Sequence, residues 1–415
     1  MLTRRQFGSL ATAAVCATAA PAIAQQRTIR IGTLATLDGP LAQLGKDAFR
    51  CLDMAVAEHG GTGTKIELFR ASSDSKPDVA LASARRLVEQ DKVDVLIGPL
   101  SGSEGIRIKD YAKTVPGVTF INGSSAAIET TLVEPAPNFF RFNPDGAQNT
   151  AALGKYIREK RGWSRIVIVA EDYSFPYAQV FGLMGTYCAA GGHVPHKFFV
   201  PLGTKDFSSI IAQLPGKDKA DAVFVVLGGA DAVNFLTQYT QAGGELPIIG
   251  GTLTVDQTVL SAKGPVRAHL PGVLSAGPIS DNDTSPAWLD FVGRYRKAYP
   301  DGLPSPSYPG VEYYISTKAA LLALKDVGGD LSDGHAAYRS ALGKLAFDTP
   351  TGPTLLNKNR QATVTVFVNE VVEKDGRLTT TPVQRIEAVD QFLGLGEDAY
   401  RKLGAPSRDN PSCAA

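Results

Sequence analysis

The chain has 415 residues, with 42 Lys and Arg against 41 Asp and Glu and a formal net charge of +1. Charges that cancel this closely set up no field to draw in nucleic acid or an anionic membrane surface, which leaves a small molecule or a protein as the partner. A hydrophobic content of 44% with 8% aromatic residues suits a globular core, and no stretch after the first 24 residues offers the ~20 apolar positions that span a bilayer.

Residues 1–24 read as a leader. Thr3-Arg4-Arg5-Gln6-Phe7 precedes the alanine-rich run from Leu10 to Ala20 and the small-residue cleavage signal Ala22-Ile23-Ala24. That order is the pattern of a twin-arginine export signal, so a mature periplasmic protein starting near Gln25 is expected. Cys16 follows Val15 and not the small residue that precedes a lipid-bearing cysteine. The remaining length allows two or three units of ~100–200 residues, and two lobes is the simplest division.

From Thr28 short β-branched runs alternate with longer helical ones. The predicted elements are strand 28–34, helix 45–59, strand 66–71, helix 78–90, strand 93–97, helix 103–113 and strand 118–121. Near-continuous apolar strands separated by helices mean a parallel sheet covered on both faces. After Phe139–Phe142 the rhythm restarts, with helices at 147–161, 177–191, 207–214 and 231–242 between strands at 165–170, 197–200, 222–227 and 246–249. Beyond strand 273–276 come helices 285–299, 312–327 and 332–345 and a late strand, 362–368, too few pieces for a third sheet. They complete the two lobes, with lobe 1 expected over 27–143 plus 277–350, lobe 2 over 144–276 plus 351–390, and a C-terminal tail over 391–415. The turn-rich stretches Asn143–Asn149, Gly277–Ser285 and Thr349–Asn359 are the candidate crossings, and several crossings favour a hinge.

Cys51, Cys188 and Cys413 remain after the leader, so at most one disulfide can form in a compartment that permits it. Cys51 and Cys188 sit in helical patterns of different halves, and buried free thiols are expected there. Five histidines without paired spacing give no metal motif, and no cofactor is expected.

Open parallel sheets bind ligands at the carboxyl ends of strands, where helix N-termini present unpaired amides. Two strand ends run into hydroxyl-rich turns, Gly98-Pro99-Leu100-Ser101-Gly102-Ser103 and Asn122-Gly123-Ser124-Ser125-Ala126. Helix capping explains either one alone; together, on successive strands, they point to a pocket for a carboxylate or other anion. Catalytic motifs are missing. The serine at 101 lies three residues after the glycine at 98, not two as in a nucleophile elbow, and neither a Gly-x-Gly-x-x-Gly turn nor a phosphate-loop lysine occurs. Glu171 and Asp172 at a strand end keep a periplasmic enzyme acting on a small acid or amide as the alternative.

Gly39-Pro40-Leu41-Ala42-Gln43-Leu44-Gly45 resembles the opening loop of the leucine/isoleucine/valine-binding protein family, the type I periplasmic binding proteins of ABC importers. Leu96-Ile97-Gly98-Pro99-Leu100-Ser101-Gly102-Ser103 looks like that family's carboxylate-holding turn, and the likeness runs from about Thr28 to about Val368. The resemblance implies two doubly wound α/β lobes joined by a multi-strand hinge. It also implies a small-molecule ligand trapped by closure, delivery to ABC permease subunits in the inner membrane, a monomer, and no catalysis. Carried across, Leu44 stands where an aromatic lid residue lies, and Ser101, Gly102 and Ser103 form the turn that holds the ligand's carboxylate. Ser124, Ser125 and Ala126 form the next turn, Phe175 caps the ligand from the second lobe, Ala230 is a further contact, and Thr252 occupies the place of the acidic residue that meets an ammonium.

Two departures bear on the ligand. Ala126 lacks a hydroxyl where a threonine is expected, and Thr252 lacks a carboxylate. A buried ammonium without a partner costs several kcal/mol. The resemblance implies a carboxylate-bearing ligand of the branched-chain amino acid class; unless Asp231 or Asp256 takes over, these positions point instead to an aromatic or short aliphatic acid without an α-amino group, or to an amide.

Overall fold

The computed structural model describes residues 28–61 and 63–413, and the expected leader lies outside them. Strand β1 (Thr28–Thr36) begins a βα alternation through α1 (Ala42–His59), β2 (Lys65–Ser73), α2 (Pro77–Arg85), β3 (Val95–Ile97), α3 (Gly102–Ala112), β4 (Thr119–Ile121), α4 (Glu129–Leu132) and β5 (Phe139–Phe140). These strands form a five-stranded sheet in the order β2-β1-β3-β4-β5, parallel throughout. β3 and β4 are wholly buried because helices cover both faces, which is why they read as unbroken apolar runs.

The alternation restarts with α5 (Gly146–Tyr156), whose N-cap Asp145 and Gln148 form a capping box. It continues through β6 (Ile166–Glu171), α6 (Ser174–Ala189), β7 (Lys197–Val200), α7 (Ser208–Gln213), β8 (Ala222–Val226), α8 (Gly229–Gln241), β9 (Ile248–Gly250), α9 (Gln257–Leu260) and β10 (Leu274–Gly277). Three helices follow: α10 (Pro286–Ala298), α11 (Tyr308–Asp326) and α12 (Ala336–Lys344). α11 packs along α1, back on the first sheet. The chain then adds β11 (Ala346–Thr349), β12 (Gly352–Leu356), β13 (Ala362–Lys374) and β14 (Arg377–Val389) to the second sheet before α13 (Glu397–Lys402).

The second sheet has the order β11-β12-β13-β10-β9-β8-β6-β7, with β14 on β13. Its early strands are parallel, but β13 runs antiparallel to β10, β12 and β14, so this sheet is mixed and not purely parallel. The sequence reading has no β11, β12 or β14. β12 opens on Gly352 at φ 132 just after a turn and resembles a linker, and β14 is an edge strand that is little buried, with no sustained apolar alternation to betray it.

Arg141 N donates to Arg360 O and Ala362 N to Arg141 O, both at 2.9 Å, which lays the 141–144 and 357–362 segments side by side. The buried Arg141 side chain ties this joint, donating to Gln361, Ala127 O and Thr131 Oγ1.

The cysteine expectation needs correction. Cys188 is bonded to Cys413 across 225 residues of sequence, and Cys51 is the free, buried thiol among the described residues. The tail brings Cys413 back to α6, a return that no local pattern encodes. On the way Tyr400 packs on Phe181, Arg401 donates to Leu132 O, and Arg408 pairs with Asp172.

Candidate functional site

The carboxyl ends of β3, β4, β6 and β9 face one another across a narrow cleft between the two sheets. One wall comes from the first lobe, with Leu100, Ser101 and Gly102 at the start of α3 and Ser124 after β4. The opposite wall is Tyr173, Phe175 and Leu253, and Tyr308 and Pro309 at the start of α11 close one side. The cavity left between these walls is small, about 10 Å³. Among the described residues, no lysine, arginine or histidine lines it.

Every hydroxyl on this lining is backed by a buried carboxyl group. The Ser124 hydroxyl donates to Glu312 Oε2, and the Tyr308 hydroxyl lies against the same carboxyl. Tyr173 meets Glu171, which also accepts from Gly228 N at 2.9 Å. Glu104 takes the Ser101 amide at 3.0 Å in a capping box and reaches its hydroxyl as well. Burial pushes all three glutamates up from the ordinary carboxylate range, Glu171 and Glu312 well above it, because the interior disfavours the charged form.

The lobes touch at the rim. Ser103 Oγ lies 3.1 Å from Ser174 Oγ, Ala230 N donates to Pro40 O at 3.1 Å, and Tyr308 N donates to Asp256 Oδ2 at 2.7 Å. A Cβ on Gly102 would stand 2.7 Å from Ser174 Oγ and 3.0 Å from Phe175 N, so only glycine admits this approach. The cleft is therefore closed. Two lobes joined by a multi-strand hinge and shut over a small cavity make the architecture of a type I periplasmic binding protein, and that family matches residues 28–377. The chain belongs to the periplasmic binding protein family.

Similar proteins include the Leu/Ile/Val-binding protein homolog 7 of Brucella suis, 29% identical over 363 residues that cover 84% of this chain and 88% of that one. An ABC transporter substrate-binding protein from Sphaerobacter thermophilus superposes with a TM-score of 0.79 at 26% identity, covering 88% of this chain and 99% of that chain. A solute-binding protein of an ABC transporter from Rhodopseudomonas palustris, solved with 3,4-dihydroxybenzoic acid, gives a TM-score of 0.80 at 24% identity, with 88% and 98% covered. The first is named as a Leu/Ile/Val-binding protein homolog and the other two as substrate- or solute-binding proteins of ABC transporters.

Within this binding protein the expected site residues fall into two groups. Ser101, Gly102, Ser124 and Phe175 line the cleft together, and Ser103 sits at its rim against Ser174. Leu44 is fully buried in the core and is not on the cleft lining, Ser125 turns its hydroxyl to Asn122, and Ala126 is buried. Ala230 makes a rim contact through its backbone. Thr252 lines a separate small cavity with Asp256 and Ser275, its hydroxyl held between Gln179 and Ala276 O. Asp231 and Asp256, the candidate ammonium partners, both spend their oxygens elsewhere. Asp231 accepts from Gly203 N; Asp256 caps α9 and accepts from Tyr308 N. Burial raises Asp231 to about 6 and Asp256 to about 7. Glu171 and Asp172 point apart, since Asp172 pairs with Arg408 and Tyr177 while Glu171 is buried behind Tyr173.

Tyr173, Leu253, Tyr308, Pro309 and Glu312 were not foreseen. For Tyr308 a signal existed. Ser307 followed by Tyr-Pro-Gly is a helix start with proline in the first turn, and Ser307 Oγ accepts from Gly310 N at 3.1 Å. Starting that helix at Glu312 hid the residues that reach the cleft.

Proposed function

We propose that this chain is the solute-binding component of an ABC importer that captures a small carboxylic acid with an apolar or aromatic body and no α-amino group. The lobes, expected over 27–143 plus 277–350 and 144–276 plus 351–390, close on it by hinge motion, and the closed form delivers it to the permease. The leader over 1–24 would bring the chain to the periplasm through the twin-arginine route.

One observation carries the ligand class. Across the cleft, hydroxyls and the first-turn amides of α3 face rings, and the candidate ammonium acceptors Thr252, Asp231 and Asp256 are engaged elsewhere. First-turn N–H groups have no partner inside a helix and suit an anion. Tyr173 and Phe175, with ring centroids 6.4 Å apart, present flat apolar surface to a ring or an alkyl chain. The Rhodopseudomonas relative's 3,4-dihydroxybenzoic acid accords with this class, and the Brucella relative's name keeps amino acids as the competing one.

Calorimetry on matched pairs tests the reading. Phenylacetate should bind at least tenfold tighter than phenylalanine, and 4-methylvalerate than leucine, a difference of about 1.4 kcal/mol. Tight leucine or phenylalanine binding with silent deaminated analogues would overturn it.

A further inference from the structure

After β14 the chain returns across the seam between the two lobes. Gln391 Oε1 accepts from Asn357 Nδ2 at 3.2 Å and from Asn359 Nδ2 at 3.1 Å, on one of the crossing segments, and its Nε2 donates to Thr131 Oγ1 of α4 at 2.9 Å. Glu397, at the start of α13, pairs with Lys358 at 2.6 Å, and Arg401 donates to Leu132 O of α4 at 2.9 Å. Beyond α13 the second lobe holds the tail. Arg408 pairs with Asp172, Lys197 Nζ donates to Pro411 O at 2.9 Å, and Cys413 is bonded to Cys188 of α6.

One side chain of this tail sits between the lobes. Tyr400 is 2% exposed, in an apolar cluster that takes Ile128 and Leu132 from α4 and its approach in the first lobe, and Ala147, Ala178 and Phe181 from α5 and α6 in the second. Its ring centroid stands 5.9 Å from those of both Phe181 and Phe392, edge-on to each. The Tyr400 hydroxyl has no hydrogen-bond partner among the described residues, so what this residue contributes to the seam is the apolar area of its ring.

We infer that the C-terminal tail is a strap that favours the closed arrangement of the lobes. It is anchored covalently on the second lobe and grips the first through Tyr400, Arg401 and Gln391. The elements it joins are those that carry the cleft walls, since α4 follows the Ser124 turn and α6 begins beside Tyr173. Opening draws Ile128 and Leu132 away from Ala178 and Phe181, which wets the Tyr400 ring and parts Arg401 from Leu132 O. Closing restores both contacts. A contact made in the closed form and lost in the open one raises the closing equilibrium, and the affinity for a ligand held between both walls rises by the same factor. The disulfide keeps the far end of the strap in place, so that its grip on α4 re-forms within the molecule. This rests on hinge closure in the reading above and is independent of which ligand the cleft takes.

The test compares the unaltered protein with Tyr400→Ala, Tyr400→Phe and Arg401→Met, by small-angle scattering without ligand and by calorimetry with phenylacetate. Tyr400→Ala should give a more open shape and a Kd about tenfold higher, as expected for losing most of a buried ring on one side of the equilibrium. Tyr400→Phe keeps the ring and should match the unaltered protein in both measurements, which a role for the hydroxyl would not allow. Arg401→Met removes one hydrogen bond from a largely exposed side chain and should raise the Kd about threefold. Lowered melting temperature with unchanged shape and affinity in Tyr400→Ala would make the tail a support of the second lobe alone and overturn the inference. If phenylacetate fails to bind even the unaltered protein, the acid reading suffers and scattering decides the strap, with identical profiles for the unaltered and Tyr400→Ala proteins overturning it. Should Tyr400→Ala fail to fold, Arg401→Met decides by the same two measurements, and no change in either overturns the inference.

Discussion

The two lobes share one construction rule and differ in what they bring to the cleft. The first lobe is a short parallel sheet whose strand ends carry Ser101, Gly102 and Ser124; the second offers Tyr173, Phe175 and Leu253 from a larger mixed sheet with a disulfide-anchored tail. Under the proposed function, specificity would divide by lobe, one wall addressing a polar head group and the other covering the body of the ligand, so that neither would bind well until closure joins them.

Four experiments would break or sharpen that contrast. The largest effect belongs to the second lobe's staple. Replacing Cys188 and Cys413 together by serine should cost about 2–5 kcal/mol of stability, the range for a native disulfide. Denaturant unfolding should show the loss, and reductant should change the unaltered protein but not the double variant.

Next comes the close approach of the two walls at Gly102. Gly102→Val puts atoms where Ser174 Oγ and Phe175 N already stand and should weaken ligand binding by about a hundredfold, or about 2.7 kcal/mol. The lobes themselves should stay folded, with scattering showing a more open shape. A variant that binds and closes normally would mean that the walls do not meet when ligand is bound.

On the polar wall, Ser124→Ala removes the hydroxyl that reaches Glu312 and should weaken binding of an acid by about 1.5–3 kcal/mol, as for a hydrogen bond to a charged group. Unaltered affinity with lost stability would assign Ser124 to the support of Glu312 alone.

The smallest effect concerns Asp256, where the second lobe accepts from the N-terminus of α11. Its raised value of about 7, against an ordinary 3.8, means that the folded state keeps a proton the unfolded chain has lost. Stability from this group is full below pH 4 and lost as pH rises toward 7, at up to about 1.4 kcal/mol per pH unit. Urea unfolding between pH 5 and pH 8 should show that decline, and Asp256→Asn should make it shallower.

Much of this was legible in local pattern, because local pattern is what makes a βα unit. Unbroken apolar runs such as Val95–Ile97 and 166–170 are buried on both faces, and the Ser101 and Asp145 turns announce helices by capping chemistry that spans four residues. The hydroxyl-bearing wall was legible for the same reason: Ser101 and Ser124 lie where strands end. The edge strand β14 was not, since a strand with only two buried residues carries little hydrophobic period.

What the sequence alone determined is the order of elements, the two-lobed α/β class and the turns that form one wall. Tertiary structure decided what each turn faces. It set Phe175 in the cleft but left Thr252 bound to Gln179, paired Cys188 with Cys413, and brought Glu312 behind Ser124 across 188 residues of chain. Periodicity and capping are set within a turn or two of chain, whereas these contacts depend on how two sheets and a returning tail come together, and no window of neighbouring residues encodes that distance.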